Sequence, residues 1–499
     1  VEFIGERAVT TPLTWGQRTT WDDIQYFLPA TKGFFVIDTE VPVPPGLSTD
    51  EVLAEIGELL CRHEVLRTLI TADGPNDPHR PEDLLEAWQK GQPIQKVQTS
   101  GRLGTAIVEL KCPLEDLPAE ALAAIVADII GTWFDHATEL PVRAGVLEFG
   151  GAPVLAVLGV SHAAADLQGV AVLGAELTNL MTARAEGSPR PPRTPTPQPA
   201  DLAAFESSDR GRRMNEAALA HIRGQLDVIP PTMFAPPGEA ASPRYWRGNL
   251  DSRAVPPALN ELVARYRVGR SEILLAMTVA LLHGLTGATR CTLGLVHGNR
   301  STAELRRAAT SLSQTVPTTV NVPDAAFGDL VRNAWSAAYR AYVRGRFDSR
   351  AAAALVAEAG ARRGIEFDLT CRFNDMWSWR GAEALSEEGG YDPQAVRTAC
   401  EGTKFAWAEK TDLDKITFFV EIGGDPETVR LGVLADTARI PPDSIRAYLF
   451  GFEQALVALA EREMCVAHVI AASGLAEMPH LGPADSRPRV PAGACRCPR

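Results

Sequence analysis

The chain of 499 residues is 45% hydrophobic and 22% charged, with 41 Gly and 37 Pro, an ordinary globular composition that excludes wholesale disorder and fibrous repeats. Its 49 Lys and Arg against 62 Asp and Glu leave a net charge of −13, so no global field favours nucleic acid or an anionic membrane. At roughly 100 to 200 residues per domain, the length calls for two or three domains. The start, VEFIGERAV, lacks the basic and apolar regions of a secretion signal, and no apolar run reaches ~18 residues, which together predict a cytoplasmic protein. The Cys residues are scattered apart from Cys495 and Cys497 and read as thiols. No HExxH, CxxC or i, i+4 His pair offers a metal site.

In chain order, strands are predicted at 34–38, 106–112, 142–149 and 154–160, with helices at 50–62 and 118–133, the latter opening on Pro and acid as a helix start does. Residues 187–200, GSPRPPRTPTPQPA, hold six Pro in fourteen positions, a composition that favours an extended linker. Beyond it, helices are predicted at 257–266, 271–285, 327–344 and 444–460, and strands at 291–296, 314–322, 367–373, 416–422 and 429–435. Mixed elements on both sides of the linker predict two α/β lobes with separate cores, 1–186 and 201–475. Residues 476–499, Arg-rich towards the end, are expected to form a flexible tail.

The stretch 152–174 carries the most chemistry. An apolar strand runs straight into Ser161 and His162, then three Ala, then Asp166 and a second apolar run. Polar residues inserted so abruptly at a strand end mark either a site or a buried, satisfied histidine. In the first case a neutral imidazole at His162 accepts a proton from an attacking amine or hydroxyl, or stabilises the charge it develops. Gly159-Val160-Ser161-His162-Ala163 is also close to the G-x-S-x-G nucleophile elbow, with Ala163 in place of the second Gly; this supports a hydrolase with Ser161 as nucleophile. Phe373-Asn374-Asp375-Met376-Trp377-Ser378-Trp379 is a second polar and aromatic group. It is either a capped strand end with packed Trp or a lining segment, and in the second case Asn374 and Trp377 face substrate.

SHAAADLQG resembles the HHxxxDG motif of the condensation-domain superfamily of nonribosomal peptide synthetases, related to chloramphenicol acetyltransferase. Further pieces follow in the family's order. Leu13-Thr14-Trp15-Gly16-Gln17-Arg18-Thr19-Thr20-Trp21 is similar to LSxAQxxLW, and Arg62-His63-Glu64-Val65-Leu66-Arg67-Thr68 to RHExLRT. The helix from Ser271 with the strand ending Gly298-Asn299-Arg300 is similar to the segment ending GxxxSGR, and Ser313-Gln314-Thr315-Val316-Pro317 to VNTLP. The resemblance covers about 11–462. It implies two acetyltransferase-like lobes in a V-shaped pseudo-dimer with a tunnel between them. His162 then takes the place of the functional second His, and Asp166 that of a structural Asp paired with Arg300, while Arg62 and Arg67 are scaffold. The resemblance also implies an amide or ester bond made between a carrier-held acyl or peptidyl thioester and an amine or hydroxyl, without an acyl-enzyme. No cofactor is bound; the phosphopantetheine arm comes on a carrier protein.

Departures from the motif bear on activity. Ser161 replaces the first His, and Leu167 replaces the Gly after Asp, where a Cβ narrows approach to a developing oxyanion. Gly169 is a candidate to restore part of that turn. The expectation is a stand-alone, monomeric condensation enzyme supplied in trans by a peptidyl or acyl carrier protein, with no nucleic-acid or membrane partner. A non-catalytic recruitment protein and an O-acyltransferase of the same superfamily are the alternatives.

Overall fold

Seven of the apolar residues from Val154 to Val160 follow one another without a polar break, a pattern that suits a strand covered on both faces. The computed structural model, which describes residues 1–27, 35–72, 93–378 and 391–486, places them in such a strand. The chain divides into two units. The first comprises Val1–Glu216 with the later segments Gly298–Gln314 and Arg346–Ser349, and the second Ala217–His297, Thr315–Gly345 and Arg350–Arg499.

In the first unit the order is β1 (Glu2–Ile4), β2 (Val9–Pro12), α1 (Trp15–Phe27), β3 (Val36–Pro42), α2 (Thr49–Arg62), β4 (Thr68–Ala72), β5 (Pro93–Val97), β6 (Ser100–Arg102), β7 (Thr105–Glu109), α3 (Ala119–Ile130), β8 (Val142–Phe149), β9 (Ala152–Ser161), α4 (Leu167–Ala185) and α5 (Pro199–Ser207). A four-stranded sheet runs β3-β9-β8-β7, beside a three-stranded sheet β2-β5-β4 and the pair β1-β6. β9 is antiparallel to both neighbours, with Ser161 opposite Val36. Its even residues Ala156, Leu158 and Val160 pack with α2 and α4 residues such as Ile56, Leu59, Leu173 and Leu177. Leu155 and Val157 pack on the other face with Val126 and Ile129 of α3. Both faces are therefore dry, which is why the run is continuous rather than alternating. α2 opens on a capping box, Ser48 with Glu51, which satisfies two of its orphan N–H groups.

α6 (Asp209–Leu226) carries the chain into the second unit, where β10 (Tyr245–Ser252), α7 (Val255–Tyr266), α8 (Arg270–Thr286) and β11 (Arg290–His297) follow. The short α9 (Ala303–Arg306) returns to the first unit. Then come β12 (Gln314–Asn321), α10 (Phe327–Tyr342), α11 (Ser349–Arg363), β13 (Cys371–Asp375), α12 (Pro393–Glu401), β14 (Lys404–Thr411), β15 (Phe418–Gly424), β16 (Val429–Asp436), α13 (Pro442–Glu461) and α14 (Val466–Ala472). Seven strands form one sheet, β12-β11-β13-β15-β16-β10-β14. α8 is buried almost all round, from Ile273 to Leu282 without interruption, as a core helix is. No single helix among the described residues is long and apolar enough to cross a membrane; the bent pair α7 and α8 reaches that composition only together.

The expected boundaries shift. The first unit does not stop at residue 186, because Glu206 of α5 accepts the Trp15 N–H (2.8 Å) and pairs with Arg346 (3.1 Å), and the segment 298–314 is held by Asp166. Pro191 and Thr194 line one cavity with Arg62 of α2 and Glu176 of α4, and Arg62 donates to the Pro191 carbonyl at 2.7 Å. Nor is the described part of the expected tail, 476–486, loose. Leu481 is buried, its N–H donates to the Leu285 carbonyl (2.8 Å) and its carbonyl accepts from the Ala235 N–H (2.8 Å). Residues 487–499, with Cys495 and Cys497, lie outside the described residues, as do Phe34 and Trp379.

Candidate active site

β9 ends on Ser161, and the chain turns at once: the Ala164 and Ala165 N–H groups both donate to the Ser161 carbonyl, at 2.8 and 3.0 Å. His162 sits on this turn, half-buried, its backbone N–H donating to the Phe35 carbonyl at 2.8 Å. Ala163, Ala164 and Ala165 are fully packed, so the turn is held by close backbone contacts that larger side chains would block. The Nδ1 of His162 is buried and finds no hydrogen-bond partner among the described residues.

Asp166 follows as the N-cap of α4, its Oδ1 accepting the Gly169 N–H at 2.9 Å. Arg300 reaches the same carboxylate with both terminal nitrogens, at 2.8 Å to Oδ2 and 2.7 Å to Oδ1. The Leu312 and Ser313 N–H groups add bonds to Oδ2 at 2.9 and 3.0 Å. Both side chains of the pair are 6% exposed. The same two terminal nitrogens also donate to the Gly298, Ala308 and Thr310 carbonyls, while the buried Nε has no hydrogen-bond partner among the described residues. A bidentate pair with further backbone partners on both sides is the arrangement in which a buried charge is tolerated. Asn299 turns Arg300 inward. Its φ of 54° is left-handed, a region in which Asn is enriched, and its Nδ2 donates to the Leu312 carbonyl at 2.8 Å.

No protein-family model matches the chain. Among curated proteins it is similar to the phosphinothricin tripeptide synthetase PhsC of Streptomyces viridochromogenes, 24% identical over 330 residues, covering 64% of this chain and 28% of that protein. The chain thus spans under a third of that relative's length. Among solved structures it matches the first condensation domain of the calcium-dependent antibiotic synthetase, bound to a substrate analogue, with a TM-score of 0.63 at 17% identity over 92% of this chain and 98% of that one. It also matches the X-domain in its complex with OxyB from teicoplanin biosynthesis, with a TM-score of 0.61 at 16% identity over 93% and 96% of the chains. The fold is that of a nonribosomal condensation domain.

On this condensation-domain fold the departures have physical explanations. Ser161 is buried, and its Oγ meets the Nε2 of His136 at 2.6 Å while accepting the Ala163 N–H at 3.2 Å. His136 is enclosed by Trp21, Trp133 and Phe134, with ring centroids 5.4, 6.2 and 6.0 Å away. Burial lowers its pKa to about 4, so the ring is neutral and shares a hydrogen bond with the Ser161 hydroxyl. The nucleophile elbow does not form a usable site here: Ser161 is 1% exposed, and its histidine is upstream and equally enclosed. Asp135 is no third member, since its carboxylate accepts from Thr138 Oγ1 at 2.6 Å and the Ala137 N–H at 3.2 Å. Sequence reasoning passed over His136. The available signal was a Ser at a buried strand end, a position that demands a polar partner.

Leu167 occupies the first turn of α4, half-buried, with no left-handed backbone for a Gly to relieve. Gly169 does not rebuild a turn either; it lies inside the helix, where a Cβ would stand 3.0 Å from the Thr310 carbonyl oxygen. It keeps α4 close to the segment that delivers Arg300. Gly16, at the start of α1, serves the same segment, as a Cβ there would be 2.5 Å from the Ser311 carbonyl oxygen. Gly16→Ala is expected to destabilise the protein by about 1 to 3 kcal/mol, read as a drop in melting temperature.

Asn374 is half-buried in β13, opposite Glu421 of β15. Trp377 takes the packing role: it is 2% exposed, its indole N–H donates to the Asp425 carbonyl at 2.7 Å, and Arg270 lies 4.7 Å from its ring. Arg62 bonds to Glu58, Glu176 and the Pro191 carbonyl, and Arg67 is buried against the Arg7 and Gln98 carbonyls, so both knit the first unit together. No group of His, Cys, Asp or Glu among the described residues can hold a metal ion.

His136 also sets a pH dependence. Its folded pKa of about 4 lies below the ordinary 6.5, so between those values the unfolded chain binds a proton that the folded one refuses. Stability is therefore expected to fall as pH drops from 6.5 towards 4, with a share on the order of 3 kcal/mol from this residue. Urea titrations from pH 7 to 4 check it, and His136→Asn should flatten the slope.

Proposed function

We propose that the chain condenses a carrier-held acyl or peptidyl thioester with an amine or hydroxyl acceptor in specialised-metabolite biosynthesis. The observation that carries this reading is His162 on a tight turn whose far end is fixed by the Asp166–Arg300 pair. Such a turn presents an imidazole without allowing it to drift. As the acceptor attacks the thioester carbonyl, His162 takes or steadies the proton that the nucleophile sheds. The new C–N or C–O bond forms, the C–S bond breaks, and the proton ends on the phosphopantetheine thiolate. The arm is substrate, brought by a partner carrier protein, and no resident cofactor is needed.

A second reading is a non-catalytic recruitment protein. It is favoured by Ser161 and Leu167 in the motif and by the fold's likeness to an X-domain solved in complex with OxyB. Intact-protein mass spectrometry of an acyl-loaded carrier protein separates the readings. Unloading that requires both enzyme and an added amine or alcohol supports condensation, unloading into water supports hydrolysis, and a carrier left loaded supports recruitment.

A further inference from the structure

α10 has a two-sided sequence. Phe327, Leu330, Val331, Ala334, Ala338 and Ala341 are buried in the second unit, at helical spacing. The opposite face carries Trp335, Tyr339 and, just past the helix end, Val343, with exposures of 49%, 60% and 61%. The two rings stack 5.8 Å apart with their planes at 15°. The other large exposed apolar side chains among the described residues, such as Ile4, Ile107, Phe149 and Val228, are spread over separate elements.

Arginines flank the stripe. Arg332, Arg340 and Arg344 stand against one acid, Asp329, in 327–345, so the segment is positive in a chain of net charge −13. Asp329 is already paired with Arg332. Arg340 is exposed and donates to Ser336 Oγ at 2.5 Å, and Arg344 donates to the Arg340 carbonyl at 3.3 Å. Neither pairs with a carboxylate among the described residues. A pre-stacked Trp–Tyr pair loses little rotamer freedom on being covered, and Trp, Tyr and Arg are the side chains that carry most binding energy at interfaces. An acidic partner approaching an acidic protein needs a local positive field to steer it.

We propose that this face of α10 docks the acidic helical surface of a carrier protein, with Trp335 and Tyr339 as anchors and Arg340 and Arg344 as the steering charges. This rests on the carrier-dependent reading above. The probe is an excised acidic peptidyl carrier protein, and binding is measured directly by calorimetry at several salt concentrations. Turnover is measured with the same carrier, acyl-loaded, and with the matching acyl-pantetheine.

Trp335→Ala with Tyr339→Ala should weaken carrier binding on the order of tenfold or more. Arg340→Glu with Arg344→Glu should weaken it similarly and flatten its salt dependence. Both variants should keep wild-type turnover of acyl-pantetheine, which also shows that they are folded. Carrier affinity within twofold of wild type in both variants overturns the proposal. So does wild-type protein that fails to bind the carrier, or a stripe that proves by sedimentation to be covered by a second copy of the chain. Carrier binding that depends on the stripe, without turnover of either thioester, leaves the docking surface standing and overturns the catalytic reading.

Discussion

Replacing His162 by Ala is expected to lower acyl transfer by on the order of 10²-fold or more, with little change in melting temperature, while Ser161→Ala keeps most of the activity and loses stability. The difference follows from where the two side chains point. His162 is half-buried with its Nδ1 unpartnered among the described residues, so truncation removes a functional group and breaks no hydrogen bond seen there. Ser161 is enclosed and bonded to His136 at 2.6 Å. Removing its hydroxyl strands a buried ring nitrogen and the Ala163 N–H, at a cost of about 1 to 3 kcal/mol. Single-turnover measurements on an acyl-loaded carrier protein, below both melting temperatures, check the pair. Loss of activity in Ser161→Ala with retention in His162→Ala would return the serine to the role of nucleophile.

Asp166→Asn and Arg300→Ala are expected to act on folding before they act on chemistry, each costing about 3 to 5 kcal/mol. Asp166 accepts five hydrogen bonds and is the only carboxylate against Arg300 among the described residues. With Asn in its place the guanidinium stays buried and faces only uncharged acceptors. With Ala at position 300 the carboxylate keeps its N–H donors but loses its counter-charge, and three carbonyls lose a hydrogen-bond donor. Chemical denaturation of both single variants and the double variant gives the coupling. Full stability in either single variant, or coupling near zero, contradicts this account.

Much of this was legible in the residues. β8, β9, β11 and β16 fall within two residues of the strands expected from apolar runs, and α2, α8, α10 and α13 within two of the expected helices. Those elements are buried strongly enough for their pattern to decide. β10, YWRGNLDS, and β14, KFAWAEKT, carry no strand signal because charged and small residues break their alternation; β10 is held between β16 and β14, and β14 pairs with β10, so tertiary pairing makes them strands. α11, SRAAAALVAEAGARR, buries only Ala352, Leu355, Ala359 and Gly360, a stripe of mostly small residues that does not stand out from its alanine run. At the site, His162, Asp166 and Arg300 were found through a motif and its distant partner, whereas His136 was not. A side chain recruited from 25 residues upstream to satisfy one hydroxyl has no periodicity to announce it. The lobe boundary failed likewise, since Pro-rich composition marks where the chain is extended and not where contacts cease.

The Asp166–Arg300 clasp also sets an order of events during synthesis. The carboxylate that caps α4 meets its guanidinium 134 residues later, and the closing segments of the first unit extend to Ser349. A nascent chain therefore cannot complete its first unit when that unit's own sheet has emerged from the ribosome. β9 and α4 wait with an uncompensated acid at their junction until much of the second unit has been translated. Fragments cut at the Pro-rich stretch should accordingly emerge as soluble aggregates or chaperone-bound species, whereas co-expression of the two halves should restore a protease-resistant complex.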